Sequence, residues 1–140
     1  MYILGLETSC DDTAVALYHT DYGLLDHRVR SQMDLLETYK GVVPELASRE
    51  HIQHLLPLVD EVIKPHCRID QLDAIAYTRG PGLVGALLCG YSIAQGLALA
   101  CNIPCIGIHH LEAHIQAIFL QKQAPSYPFV TLLASGGHTM

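Results

Sequence analysis

The chain predicts a single α/β domain. Strand-length apolar runs joined by turns open it, and helical and strand-length apolar periods alternate from Ser48 onward. Half of the 140 residues are hydrophobic and only 16% are charged. That balance suits one domain with a real core and excludes a disordered chain.

Tyr2–Leu6 is an apolar run fit for a buried strand, Glu7–Thr13 a polar turn, and Ala14–Tyr18 a second strand. Tyr22-Gly23 marks a turn before a more polar third strand over Leu24–Gln32, so the opening reads as an antiparallel meander. Asp34–Val43 reads as loop. From Ser48, a good N-cap, the spacing turns helical: Ile52, Leu55, Leu56, Val59, Val62 and Ile63 share one stripe. Pro57 should kink this helix by removing the bond to Gln53, and Pro65 should end it. There follow a strand (Ala74–Thr78), the Gly80-Pro-Gly82 turn, a long helix (Leu83–Cys101), a strand (Ile103–Ile108) and a short helix (His110–Leu120). A last apolar strand, Phe129–Leu133, runs into Ser135-Gly-Gly-His-Thr139.

The order β-β-β-α-β-α-β-α is that of a ribonuclease-H-like unit, as in the actin and sugar-kinase superfamily. Residues 1–122 make one such unit. Residues 123–140 read as the start of a second, because an apolar strand followed by a Ser/Gly/Thr turn echoes the amino terminus. On this reading the chain is the first half of a larger protein. Pro128–Met140, lacking a second-unit sheet, is expected to be disordered, to add to an exposed edge or to exchange between chains.

No basic leader with an apolar stretch opens the chain, so no signal peptide is expected. The five cysteines (10, 67, 89, 101, 105) are odd in number and mostly lie in or beside apolar segments, which fits buried thiols in a reducing cytoplasm. Cys101 and Cys105 lack a second pair to complete a metal site. A net charge of −6 argues against a self-sufficient nucleic-acid binder; such a substrate would need a local basic patch, a further segment or a partner. Gly80–Ile108 carries no charge at all. A membrane span is one reading, opposed by Gly82, Gly85, Gly90, Gly96, Ser92 and Gln95 and by the α/β pattern on both sides. A helix covered on both faces is the other: by the sheet on one side, and by a partner or missing half on the second. The small residues Gly82, Gly85, Ala86, Cys89 and Gly90 permit close approach, and a buried core helix reads the same way.

Gly80-Pro-Gly-Leu-Val-Gly85 matches G-x-G-x-x-G between a strand and a helix. Three strands precede it, no acidic residue ends the next strand, and the Lys-Ser/Thr of a P-loop is missing, so a Rossmann fold is disfavoured. A helix N-terminus near an anion stays physically reasonable. Glu7, Asp11 and Asp12 fall in the first hairpin turn, where acidic residues either serve the turn or assist a phosphate through metal, water or proton transfer. His110 and His114 lie four apart just past a strand, so a helix there stacks both imidazoles on one face, as one metal ion requires. His51 and His54, a second close pair, read as helix surface. A zinc-protease motif fails: Glu112 stands two residues after His110, about 200° round the helix and away from the shared face.

Five motifs occur together and in order: Glu7-Thr-Ser-Cys-Asp-Asp-Thr13, Gly41-Val-Val-Pro-Glu-Leu-Ala-Ser-Arg49, Thr78-Arg-Gly-Pro-Gly-Leu-Val-Gly-Ala86, His109-His-Leu-Glu-Ala-His114 and Ser135-Gly-Gly-His-Thr139. Together they closely resemble the bacterial form of the tRNA adenosine threonylcarbamoyltransferase family, once described as O-sialoglycoprotein endopeptidases. The resemblance covers the whole chain and the N-terminal half of a typical member. It implies transfer of a threonylcarbamoyl group from threonylcarbamoyl-adenylate to the exocyclic amine of the adenosine 3′ to the anticodon, in tRNAs reading codons that begin with adenine. It implies that His110 and His114 are ligands of one divalent ion, iron or zinc, whose third ligand, an Asp of the second unit, is absent from this chain. It implies that Leu133, Ala134, Ser135, Gly136 and Gly137 bind the adenylate, and that Asp11 and Asp12 form the acidic catalytic pair near the phosphate. Asp12 stands where Glu is frequent, so its carboxylate sits about one methylene further back. The partners implied are tRNA, a shorter paralogous subunit of the same fold and a small P-loop ATPase, in the cytoplasm and without a membrane. The uncharged helix Leu83–Cys101, with its small residues, is where the paralogue is expected to dock. The portion alone is expected to be inactive. The alternatives are a non-catalytic interaction module of the same complex and, after it, a metalloprotease.

Overall fold

The computed structural model describes residues 1–32, 39–121 and 123–134. Its centre is a five-stranded sheet in the order β3-β2-β1-β4-β5. β1 (Tyr2–Glu7), β2 (Thr13–His19) and β3 (Gly23–Arg30) form the antiparallel meander that the short turns demand. β4 (Ala74–Gly80) and β5 (Cys105–His109) join parallel to β1, each after a helical crossover. Helix α1 is Pro44–Ile63, α2 is Val84–Cys101 and α3 is His110–Gln116, the last continued by a 3-10 turn over Ala117–Leu120. The element order is the expected one, and the mixed sheet is ribonuclease-H-like.

The core forms where one sheet face meets α1 and α2. Leu4, Leu6, Leu17 and Ile75 from the strands pack with Leu55, Val59, Val62 and Ile63 of α1 and Ala94 and Ala98 of α2. On the opposite face the strands carry smaller side chains. An apolar groove of about 520 Å³ opens there, lined by Gly5, Ala14, Ala16, Ala76, Ile108 and Leu120, with His110 and His114 among its bordering residues.

Three expectations are corrected. Helix α1 starts at Pro44, not after Ser48, because proline at the first helical position needs no amide partner. Ser48 lies inside the helix, and its hydroxyl donates to the Pro44 carbonyl at 2.9 Å. The buried stripe also shifts: Ile52 and Leu56 are 62% and 48% exposed, while Ala47 and His51 turn inward. The helix runs on through Pro57 and stops before Pro65. Finally, Phe129–Leu133 forms no strand; only Ala134 makes an isolated bridge. The segment pairs with neither edge strand of the sheet, β3 or β5, and Val130 is wholly exposed. The segment is instead tied down by aromatic contacts of Phe119 with Tyr127 and Phe129, ring centres 5.4 and 5.5 Å apart. Half of the expected loop Asp34–Val43, residues 34–38, lies outside the described residues.

Candidate functional site

The carboxyl ends of the parallel strands β1, β4 and β5 meet at one edge, where α/β folds place their chemistry. Register explains what gathers there. Leu6 pairs with Tyr77 and Thr78 with Ile108, so Glu7 at the end of β1 stands beside Thr78 and close to the start of α3. His110 opens α3 and His114 follows one turn on. Their Nε2 atoms approach to 3.1 Å, with ring centres 4.5 Å apart. Nitrogen ligands about 2.0–2.1 Å from a tetrahedral ion stand roughly 3.3 Å apart, so this spacing fits one shared ion. The His110 side chain is 25% exposed and His114 is exposed, so solvent reaches the pair. Among the described residues, no three His, Cys, Asp or Glu side chains gather closely enough to hold a metal ion.

Behind His110 lies Glu7. Its Oε2 faces His110 Nδ1 at 3.1 Å and accepts from the Thr78 hydroxyl, while Oε1 accepts the Ser9 backbone amide. Ser9 Oγ is itself 3.2 Å from His110 Nδ1. Burial pushes the Glu7 carboxyl up, but hydrogen bonds from Ser9, Thr78 and His110 outweigh it and bring the group below its ordinary value. Glu7 is therefore an anion at neutral pH.

The hairpin turn that carries Asp11 and Asp12 is gripped from two sides. From α1, the fully buried His51 meets Thr13 Oγ1 through Nδ1 at 2.8 Å and the Cys10 carbonyl through Nε2 at 3.0 Å. This overturns the surface reading of His51; His54 is half-buried, 3.0 Å from Glu50. From α2, Leu83 N–H donates to the Ser9 carbonyl at 2.7 Å, and the Thr8 hydroxyl donates to the Ala86 carbonyl at 2.9 Å. A Cβ on Gly82 would collide with the Ser9 backbone, and one on Gly90 with the Thr8 hydroxyl. Gly82 and Gly90 are thus explained by close packing on the first turn, and Gly85 by the close approach of Ser48 Oγ from α1.

Asp11 is half-buried and Asp12 exposed in that turn. Burial pushes the Cys10 thiol between them and Ser9 up to about 11, reinforced by its hydrogen bond to Asp11 and by the charges of Asp11 and Asp12. Glu112 is exposed on α3. Leu133 is half-buried and Ala134 exposed; Ser135, Gly136 and Gly137 lie outside the described residues. The structure thus brings His110 and His114 into contact and links them, through Glu7 and Ser9, to the turn of Asp11 and Asp12. Sequence reasoning missed His51, Ser9 and Thr78, and it grouped Glu7 with the aspartates rather than with His110. The one available signal was alignment: Glu7, Thr78 and His110 each stand at the carboxyl end of a strand.

Fold and site together define a ribonuclease-H-like unit with an imidazole pair at the mouth of its parallel strands. Among solved structures, the chain superposes on YeaZ from Pseudomonas aeruginosa with a TM-score of 0.65 and 26% identity, over 84% of this chain and 47% of that one. It also superposes on T. thermophilus RuvC in complex with Holliday junction substrate, TM-score 0.51 at 11% identity over 91% and 84% of the two chains, which speaks to fold alone. The family model TsaD, tRNA N6-adenosine threonylcarbamoyltransferase, matches residues 23–140. The tRNA N6-adenosine threonylcarbamoyltransferase of Nitrosospira multiformis is 56% identical over 99% of this chain. The chain belongs to the tRNA N6-adenosine threonylcarbamoyltransferase family. It spans 40% of the length of the Nitrosospira relative.

Proposed function

We propose that the full-length protein transfers the threonylcarbamoyl group of threonylcarbamoyl-adenylate to the exocyclic amine of the adenosine 3′ to the anticodon, in tRNAs reading codons that begin with adenine. Family membership supports the reaction class. The observation that carries the mechanism is the 3.1 Å approach of the two Nε2 atoms beside the first hairpin turn. The acyl donor is already activated and the adenine amine is a weak nucleophile, so catalysis must come from positioning and from stabilising developing negative charge. His110 and His114 would hold iron or zinc, which supplies Lewis-acid stabilisation of an oxyanion or phosphate. A further Asp from outside this chain would complete the ligands. Asp11 and Asp12, fixed by the grip of His51 and Leu83 on their turn, would serve the phosphate side, and the Leu133–Gly137 segment would bind the adenylate.

Residues 1–122 act as the first unit of a two-unit protein, with 123–140 opening the second, and this portion alone is inactive. The open apolar groove beside the histidines supports a covering unit. The outward face of α2, where Val84, Leu88 and Leu99 are 75%, 56% and 85% exposed, supports docking of a shorter paralogous subunit. That helix is long and apolar enough to cross a membrane, yet it packs along α1 and β4, which supports a protein surface in a cytoplasmic complex. The paralogue, a small P-loop ATPase and tRNA are the partners of this reading. A non-catalytic interaction module is the second reading, resting on that same face.

The test is reconstitution on unmodified tRNA with the partner proteins and threonylcarbamoyl-adenylate. Full-length protein is expected to form threonylcarbamoyladenosine, and H110A and H114A to lose at least 100-fold in rate, about 3 kcal/mol of transition-state stabilisation. Activity undiminished in both variants would overturn the mechanism and favour the interaction module.

A further inference from the structure

We infer that Glu7 is the positioning residue of the imidazole pair: its carboxylate holds the Nδ1 proton of His110, so that His110 turns a bare Nε2 lone pair toward the point shared with His114. The inference rests on the metal reading above and assigns Glu7 a part in it. Three observations carry it. First, Glu7 Oε2 stands 3.1 Å from Nδ1, on the opposite edge of the ring from the Nε2 that meets His114, so Glu7 lies behind the ring and not among the ligands. Second, the carboxylate is fixed before any ion arrives, since the Ser9 amide and the Thr78 hydroxyl both donate to it. Third, an ionised carboxylate only accepts, so a hydrogen bond to it requires the proton on Nδ1. The Ser9 hydroxyl, 3.2 Å from the same nitrogen, can accept as well and need not compete.

The assignment makes the pair asymmetric. With Nδ1 protonated and the ring neutral, His110 Nε2 is an acceptor, so the contact between the rings is closed by the Nε2 proton of His114. His110 is preset for a ligand role. His114, exposed to solvent, is the ring that must change tautomer when an ion enters. Outer-sphere carboxylates that orient a ligating imidazole in this way contribute about 10–100-fold in metal affinity.

The experiment uses metal-free full-length protein and has two arms. Nitrogen-15 NMR of the His110 ring in the wild type is expected to show a protonated Nδ1 and an unprotonated Nε2; the reverse tautomer would overturn the inference without any variant being made. Zinc titration against a chromophoric chelator is expected to show E7Q binding about 10–100-fold more weakly than wild type with the fold intact by circular dichroism, and T78V weakened less. Equal affinity of wild type and E7Q overturns this inference and leaves the metal reading standing. No zinc uptake by the wild type overturns the metal reading and this inference with it.

Discussion

Helices α1 and α2 pack against each other and into one core, yet they bury opposite kinds of residue. α1 turns large side chains inward, Leu55, Leu58, Val59, Val62 and Ile63, and carries Glu45, Glu50, Asp60 and Glu61 among its other residues. α2 fully buries only the small residues Ala86, Gly90, Ala94 and Ala98, and leaves Val84, Leu88, Tyr91 and Leu99 outside. α1 follows the usual economy of an amphipathic helix, in which burial of large apolar groups stabilises the fold. α2 uses smallness to approach the sheet and the first turn; of its large groups Ile93 and Leu97 pack partly against the core, while Val84, Leu88 and Leu99 stay exposed. The first helix buries large side chains for stability; the second keeps an exposed apolar face, which the proposed docking of a partner subunit would use. Both also hold the same turn, α1 through the hydrogen bonds of His51 and α2 through bare glycine backbone.

This difference is open to direct challenge. The largest effect belongs to α1: L55A, at a fully buried position, should destabilise the protein by about 2–5 kcal/mol in denaturant unfolding. A loss as small as that of a surface substitution would place the core elsewhere. On α2 the expectation reverses. L88K and L99K should leave stability within about 0.5 kcal/mol of wild type, yet abolish association with the paralogous subunit in sedimentation velocity. Equal stability with undiminished association would break the contrast between the helices. The smallest effect concerns the turn both helices hold. Because its thiol titrates near 11 instead of 9.0, Cys10 forms less thiolate at pH 8 than an ordinary cysteine. Its thiolate is more nucleophilic, which offsets part of that loss, so alkylation should be slower by roughly tenfold overall. D11N should narrow that gap, read by mass spectrometry of the labelled peptide.

Most elements were legible because they rest on local periodicity: the meander from its turns, β4 and β5 from short apolar runs, α2 from a long stretch without charge. Their packing was not. In α1 the apolar arc is wide enough that Ile52 and Leu56 belong to it by spacing, and only the position of the sheet decides that they face out while His51 faces in. A histidine goes inside when partners await it, and the Thr13 hydroxyl and the Cys10 carbonyl arrive from a segment 38 and 41 residues away. The same holds for Glu7, whose link to His110 spans 103 residues and depends on parallel register. The imidazole pair itself was readable, since helical spacing alone brings residues four apart together. Phe129–Leu133 shows the converse: a good strand sequence stays irregular where it pairs with no neighbouring strand.

The account stands on one ion shared by His110 and His114. Elemental analysis of the full-length protein, purified after metal loading and desalting, measures it most directly. One iron or zinc per chain is expected in the wild type, falling to trace amounts in H110A and in H114A with the fold intact by circular dichroism. Stoichiometric metal retained by both variants, or a wild type that modifies tRNA fully in the presence of chelator without bound metal, would contradict it.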